Sequence, residues 1–554
     1  MRSPIASMAL VVSTAFMLLT ASPALAQGQI LVFSSDAPGT GFFDPTPVPP
    51  VGGNPGTTLG AQRANVFLLA AAIWTQKLQP TTDIFVLATF EPLGANVLGS
   101  AGTVGIIRDF PGAEYPATWY HSALADKLAG EDLLPAFFDI RARFSSQFAF
   151  YLGFDNNEPP GLVDLLPVVL HEMGHGLGFA NFTDETSGTQ AFGFDDIFSA
   201  YTLDVTTGKR WNDMTNAERQ ASAINVRHVS WDGLHVNAAV PSVLSPGEPN
   251  LAIASPAGLG PFAVGAASFG PPIGASGITG NIVVGLDAAN AAGPSTTDGC
   301  TALTNSAQTT GKIVLLDRGT CTFVVKVKNA QNAGAIAVVI ADNAAGEPPA
   351  GLGGADPTII ISSVRISLNA GNAIKAALAG GPVSGTLGLD LSILAGTDRV
   401  RHLMMLAAFN PVVPGSSISH YEAVAFRNQL MEPAINGDLT SSVQPPEDLT
   451  LPEMTDVGWF SDHDGVPDGR DACLGSAQTP TVVIQSCVST APNTVFSDGC
   501  RTSDKVAACA AGARNHGAFA SCVAQLGNDL KKAGIITGDQ KGSLQSCAAQ
   551  SSLP

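Results

Sequence analysis

The sequence predicts an α+β chain of several domains. A helix-and-strand portion is split in two by a β-rich insertion and followed by a small Cys-rich segment. Three observations lead there. The chain has 554 residues, and about 150 residues per domain gives three or four domains. Its texture changes from mixed helix and strand to Gly, Ala, Pro and Ser with short β-branched runs near Pro241, and returns to apolar runs at Arg399. Its eight cysteines stand at 300, 321, 473, 487, 500, 509, 522 and 547, so the first 299 residues must be held by their core alone.

In chain order, Arg2, the apolar residues 8–19 and Ala24-Leu25-Ala26 read as a secretory signal over 1–26, cleaved before Gln27. That apolar run is too short to span a bilayer, and no later run is longer, so an exported chain without a membrane span is expected. Residues 30–33 form a short strand. The apolar stripe Phe67, Ala71, Trp74 and Leu78 marks an amphipathic helix over 59–78, ended by Pro80. Residues 83–90 read as a buried strand. Gly and Pro break up 91–150, with a helix inside 115–129. A further helix near 215–223 is capped from Asn212-Asp213-Met214-Thr215. Residues 397–460 add a strand over 399–409 and a closing helix over 449–459. The tail, 499–554, holds helices near 519–533 and 539–549 after a Ser/Thr/Pro linker over 474–498. The six cysteines from 473 onward admit fifteen pairings.

The chemistry concentrates in residues 168–179, Val-Val-Leu-His-Glu-Met-Gly-His-Gly-Leu-Gly-Phe. Asp164 can cap a helix there, and Pro167 falls in its first turn, where a missing N–H costs nothing. On that helix His171 and His175 lie one turn apart on one face, within reach of one metal. Glu172 lies about 100° round. Two imidazoles and a carboxylate able to take a proton from water are what a zinc hydrolase requires. His-Glu-x-x-His also occurs by chance on buried helices. A catalytic zinc takes three protein ligands. In the compact arrangement the third is a histidine six residues past the second, beyond a glycine. Here Gly178 is present but Asn181 occupies the ligand position. Among the other histidines, His228 and His235 read as surface or core residues, His402 as a buried histidine in an apolar strand, and His121 and His516 carry no signal. His420 stands out because Asn428-Gln429-Leu430-Met431-Glu432-Pro433 follows it.

The segment from His420-Tyr421-Glu422 through Met431, with the helix after it, is similar to the leishmanolysin-like metzincins over about 55–240 and 397–460. The resemblance implies a two-lobed catalytic domain whose parts span 27–245 and 397–460. Zn²⁺ would be held by His171, His175 and His420, and Met431 would form a structural turn beneath the metal. Glu172 would take a proton from the zinc-bound water that attacks a peptide carbonyl. The implied protein is a secreted endopeptidase acting on proteins or peptides, with an extended substrate paired to an edge strand in the cleft. Tyr421 stands where family members commonly have Trp, the catalytic portion lacks their cysteines, and no pro-segment is evident after Gln27.

Residues 311–319 read as a strand and turn, 324–333 as a helix and 335–341 as a second strand. The spacing of Cys300 and Cys321 suits a disulfide closing a loop beside the first strand. Strand, Asp317-Arg318-Gly319, Cys321-x-Phe323 and helix in this order resemble the protease-associated (PA) domain over about 250–395. That resemblance implies an insertion with no catalytic groups of its own, one that shapes substrate access or contacts protein partners.

Residues 461–473 form a carboxylate-rich loop in which Asp462, Asp464, Asp468 and Asp471 surround Gly465. Such oxygen-rich loops hold Ca²⁺, and this one resembles a thrombospondin type 3 repeat; a solvated acidic linker is the alternative. The formal net charge of −19 with only 13% charged residues excludes the basic footprint of nucleic-acid binding. The functional alternative to a protease is a secreted adhesion protein using the PA module and acidic loop, with a degenerate metal site.

Overall fold

The computed structural model describes residues 28–94, 96–291, 293–435 and 439–553. The signal segment lies outside them. In the first portion, β1 (Ile30–Ser34) precedes the long helix α1 (Leu59–Leu78) and the strands β2 (Ile84–Glu91) and β3 (Gly99–Thr103). Helix α2 (Ser122–Ala129), strand β4 (Ile140–Ser145) and helix α3 (Leu165–Leu177) follow. Their sheet has the order β1-β2-β4-β3. β1, β2 and β4 are parallel, while β3 runs antiparallel to β4 and forms one edge. The stripe Phe67, Ala71, Trp74 and Leu78 is buried as its period requires. Trp74 donates from Nε1 to the Leu170 carbonyl at 3.2 Å, tying α1 to α3. Beyond α3, the helix Asn216–Ser222 opens with a Thr215–Glu218 capping box.

The inserted module follows with β5 (Pro246–Ser255), β6 (Ile278–Val284), β7 (Ile313–Asp317), α4 (Phe323–Asn332), β8 (Ala337–Ala341), β9 (Ser362–Ile366), α5 (Leu368–Gly380) and β10 (Val383–Leu394). These strands lie in the order β5-β10-β6-β7-β8-β9, with the two-residue strands Phe262–Ala263 and Gly265–Ala266 at the two ends. One face packs Ala370 and Ile374 of α5, the other Val327 and Ala330 of α4. Cys300 and Cys321 are disulfide-bonded, with Cα atoms 5.7 Å apart.

Past the insertion the chain returns to the first core. Met404, Leu406, Ile418, Tyr421, Met431, Met454 and Trp459 share one buried cluster with residues of α1, β2, β4 and α3. The closing helix is α6 (Thr450–Asp456). The expected strand over 399–409 is instead a turn followed by isolated bridges. Asp398 causes this: its carboxylate accepts the amides of Val400, Arg401 and Leu403 at 2.6–2.9 Å, which coils the backbone. His402 therefore sits exposed at φ 60° and is not buried in a strand.

The segment expected as a linker over 474–498 folds into the hairpin β11 (Thr481–Ile484) and β12 (Cys487–Pro492). The helices α7 (Thr502–Gly512), α8 (His516–Lys532) and α9 (Gly538–Gln550) complete the tail. Cys487–Cys547 and Cys509–Cys522 staple its small core, and Cys473–Cys500 ties it to the acidic loop. No described helix is long and apolar enough to cross a membrane.

Candidate metal centre

Helix α3 begins where Asp164 accepts the Leu166 amide at 3.0 Å, and all thirteen of its residues are buried. It carries His171 and His175, while His420 comes from the loop 245 residues past His175. The three Nε2 atoms form a triangle with edges of 3.0, 3.2 and 3.3 Å. Each ring's other nitrogen meets a carbonyl: His171 Nδ1 with Leu430 O at 2.7 Å, His175 Nδ1 with Phe179 O at 2.7 Å, His420 Nδ1 with Ser416 O at 3.1 Å. A carbonyl only accepts, so each Nδ1 carries the proton and each neutral ring presents a bare Nε2 lone pair. Three lone pairs at this separation repel one another unless a cation lies among them. Nitrogens about 2.0–2.1 Å from a tetrahedral zinc lie about 3.3 Å apart, which these edges fit. Burial lowers all three imidazoles, His171 to about 4 and His175 to about 3, so they stay neutral at ordinary pH.

Glu172 faces β3. A Cβ on Gly99 would lie 2.7 Å from its Oε1, so only glycine allows this approach. Burial raises the Glu172 carboxyl to about 8, opposed by the Ala101 amide and the Arg143 charge. No other described strand pairs with the outer edge of β3, which runs past this carboxylate.

Met431 is fully buried beneath the helix; a Cβ on Gly174 would lie 2.9 Å from its sulfur. Its carbonyl accepts the Tyr421 amide at 2.8 Å, and Leu430, just before it, supplies the carbonyl that orients His171. Gly178 caps α3 and packs near Met454 and Val457. Asn181 lies outside the triangle and bonds to Ser419, the neighbour of His420. His228 and His402 are exposed, and His235 donates toward the Asp468 carbonyl at 3.1 Å.

Sequence reading missed one group. His121 ends a short strand, Thr118–His121, and is fully buried with its ring 4.6 Å from that of Phe182. Neither ring nitrogen has a protein partner, and burial lowers it to about 3. No spacing rule connects residue 121 to the helix that bears His171 and His175.

In the acidic loop, carboxylate oxygens of Asp462, Asp464 and Asp471 lie within 4.8 Å of one another. Asp471 is completely buried, with Oδ1 accepting the Cys473 amide at 2.6 Å and Oδ2 left without a partner. Asp468, expected in the same cluster, is not in it. It begins a 3₁₀ turn, Asp468–Arg470, and its Oδ2 accepts the Phe460 amide at 3.1 Å. Its amide donates to the Glu114 carboxylate at 3.2 Å. Burial, and then Glu114, raise the Asp468 carboxyl to about 10.

Over 83 residues the chain is 35% identical to the minor extracellular protease Vpr of Bacillus subtilis (strain 168), a stretch covering 15% of this chain and 10% of that one. The chain thus spans about a tenth of the length of the curated relative it matches. Among solved structures, BSAP, a zinc aminopeptidase from Bacillus subtilis, is 24% identical over 28% of this chain and 35% of its own, with a TM-score of 0.19. An aminopeptidase from Aneurinibacillus sp. strain AM-1 is 22% identical over 35% and 42%, with a TM-score of 0.20. Likenesses of this size carry no argument about the metal centre. The family match is local: residues 278–374, from β6 into α5, are a PA domain.

Proposed function

We propose that this chain is an exported zinc endopeptidase of metzincin type, with His171, His175 and His420 as ligands and Glu172 as the proton-transferring base. The observation that carries the proposal is the convergence of three bare Nε2 atoms 3.0–3.3 Å apart, with a carboxylate on the same helix facing an edge strand. Zn²⁺ bound there supplies a Lewis acid that polarises a carbonyl and acidifies water. Glu172 takes the proton from the attacking water and passes it to the leaving amine. The outer edge of β3 holds an extended peptide by main-chain hydrogen bonds. Four disulfides support an oxidising compartment. The PA domain, a module this chain shares in kind with secreted hydrolases, supports the same setting.

The adhesion alternative requires a dead site, and a carboxylate retained beside three converging imidazoles argues against that. Metal analysis and casein cleavage test the proposal together. The purified protein should hold about one zinc per chain and lose cleavage to o-phenanthroline. Glu172→Ala should lower kcat/KM by about 10²–10⁴ with its zinc intact, and undiminished cleavage would overturn the assignment.

We also propose that Asp462, Asp464 and Asp471 bind Ca²⁺, carried by the buried, partnerless Oδ2 of Asp471. At fixed zinc, Ca²⁺ at about 100 times its Kd should stabilise the fold by about 2.7 kcal/mol, read as a rise in Tm. Asp471→Asn should abolish that rise; a Tm indifferent to Ca²⁺ in the unmodified protein counts against the site.

A further inference from the structure

The residue that replaces a compact third ligand has a different task. The Asn181 amide and both ends of its side chain are engaged in hydrogen bonds. Its amide N–H and its Nδ2 both donate to Ser419 Oγ, at 3.1 and 3.0 Å. Its Nδ2 also donates to Glu185 Oε1 at 3.0 Å, and its Oδ1 accepts the Thr183 amide at 2.8 Å. The acceptor and donor sides of this side chain are therefore fixed, with the donor side toward Ser419.

Ser419 immediately precedes His420, and the backbone leading into it is strained. Ile418 lies at φ 64°, a left-handed conformation that β-branched residues avoid. Ile418 is also fully buried, so its conformation is held by what surrounds it. The Ala407 carbonyl accepts its amide at 2.7 Å, and the Ser417 carbonyl accepts that of Ser419 at 2.7 Å. The bond across 238 residues from Asn181 ties this strained turn to the end of the helix bearing the other two histidines.

We propose that Asn181 is a positioning residue that clamps the His420 loop, through Ser419, in its metal-binding geometry. This rests on the reading of the three histidines as zinc ligands. It assigns the chain's departure from the compact pattern a definite purpose: a position that elsewhere would bind the metal here aligns a ligand contributed from beyond the insertion.

The test measures metal affinity, not turnover. Zinc dissociation constants by chelator competition, and the Co²⁺ visible spectrum of the cobalt-loaded full-length protein, are compared for the unmodified protein, Asn181→Ala, Ser419→Ala, the double variant and His420→Ala. A clamp predicts zinc binding weakened about 10- to 100-fold in either single variant, as for loss of a group that orients a metal ligand. The Co²⁺ bands should shift or weaken, and the double variant should be no worse than the poorer single. Affinity within twofold of the unmodified protein in Asn181→Ala, or effects that multiply in the double variant, would overturn the clamp. Should Asn181→Ala fail to fold, Ser419→Ala, which removes only an oxygen, decides alone by the same affinity criterion. If His420→Ala keeps full zinc affinity, the ligand reading itself has failed; if only His420→Ala loses zinc, the ligands stand and the clamp does not.

Discussion

Three imidazoles can be brought together only if each is told which nitrogen to present. The telling is done by carbonyls from three different segments, at Phe179, Ser416 and Leu430. Two histidines announced themselves by helical spacing. His420 did so only through Met431 eleven residues on, because nothing local marks a loop histidine as a ligand. His402 misled for the converse reason: apolar neighbours read as a strand, while Asp398 captures the amides and turns the side chain out. His420→Ala should lose zinc, whereas His402→Ala and His228→Ala, both at exposed positions, should retain it, as measured by metal content after dialysis. Equal retention in all three would remove His420 from the site.

Helix α3 shows what a fully buried element demands. Its glycines are places where other groups come too close for a side chain. At Gly176 a Cβ would lie 2.5–2.7 Å from three side-chain atoms of Ile140 on β4, in a core that has no room to give. Alanine normally gains about 1 kcal/mol over glycine inside a helix. Here the overlap should win, and Gly176→Ala should destabilise the protein by about 1–3 kcal/mol, read from a chemical denaturation midpoint. A stabilised variant would mean that β4 and α3 are less tightly packed than the distances imply. Elements with a clear period, such as α1 and β2, were legible in the sequence; β3, built from Gly99-Ser100-Ala101-Gly102-Thr103, was not. Its small residues have no apolar alternation, yet it lies beside Glu172.

At the scale of the molecule, one core spans both sides of the insertion, and ion pairs and backbone bonds fasten the PA domain to it. Glu248 on β5 pairs with Arg227 and Arg399, and Arg399 also pairs with Asp390 on β10. Glu347 and Asn410 exchange backbone hydrogen bonds of 2.9 and 2.8 Å. The acidic loop is fastened through Asp468, against Glu114 and near Asp471, with Lys127 the nearby positive charge. Burial, and then the neighbouring Glu114, hold the Asp468 carboxyl well above its ordinary value of 3.8 in the folded state. Its contribution is therefore fully present below the ordinary value and lost as pH rises through the folded one. Tm should fall between about pH 5 and about pH 9, and Asp468→Asn should flatten that slope; an unchanged slope would show that another group titrates.

Spacing along the chain marked the helix that bears His171, Glu172 and His175, singled out His420 through Met431, and pointed to the PA domain and the Cys300–Cys321 disulfide. Each is written in local spacing or in a pattern short enough to read along the chain. Tertiary structure alone decided that the three lone pairs meet, that Asp468 leaves the acidic cluster for Glu114, that residues 481–492 pair as a hairpin, and that Asn181 holds Ser419. All but the hairpin depend on contacts between segments hundreds of residues apart or on carboxylates choosing among competing amides. Periodicity carries no information about either, because both are settled only when the chain has closed around its core.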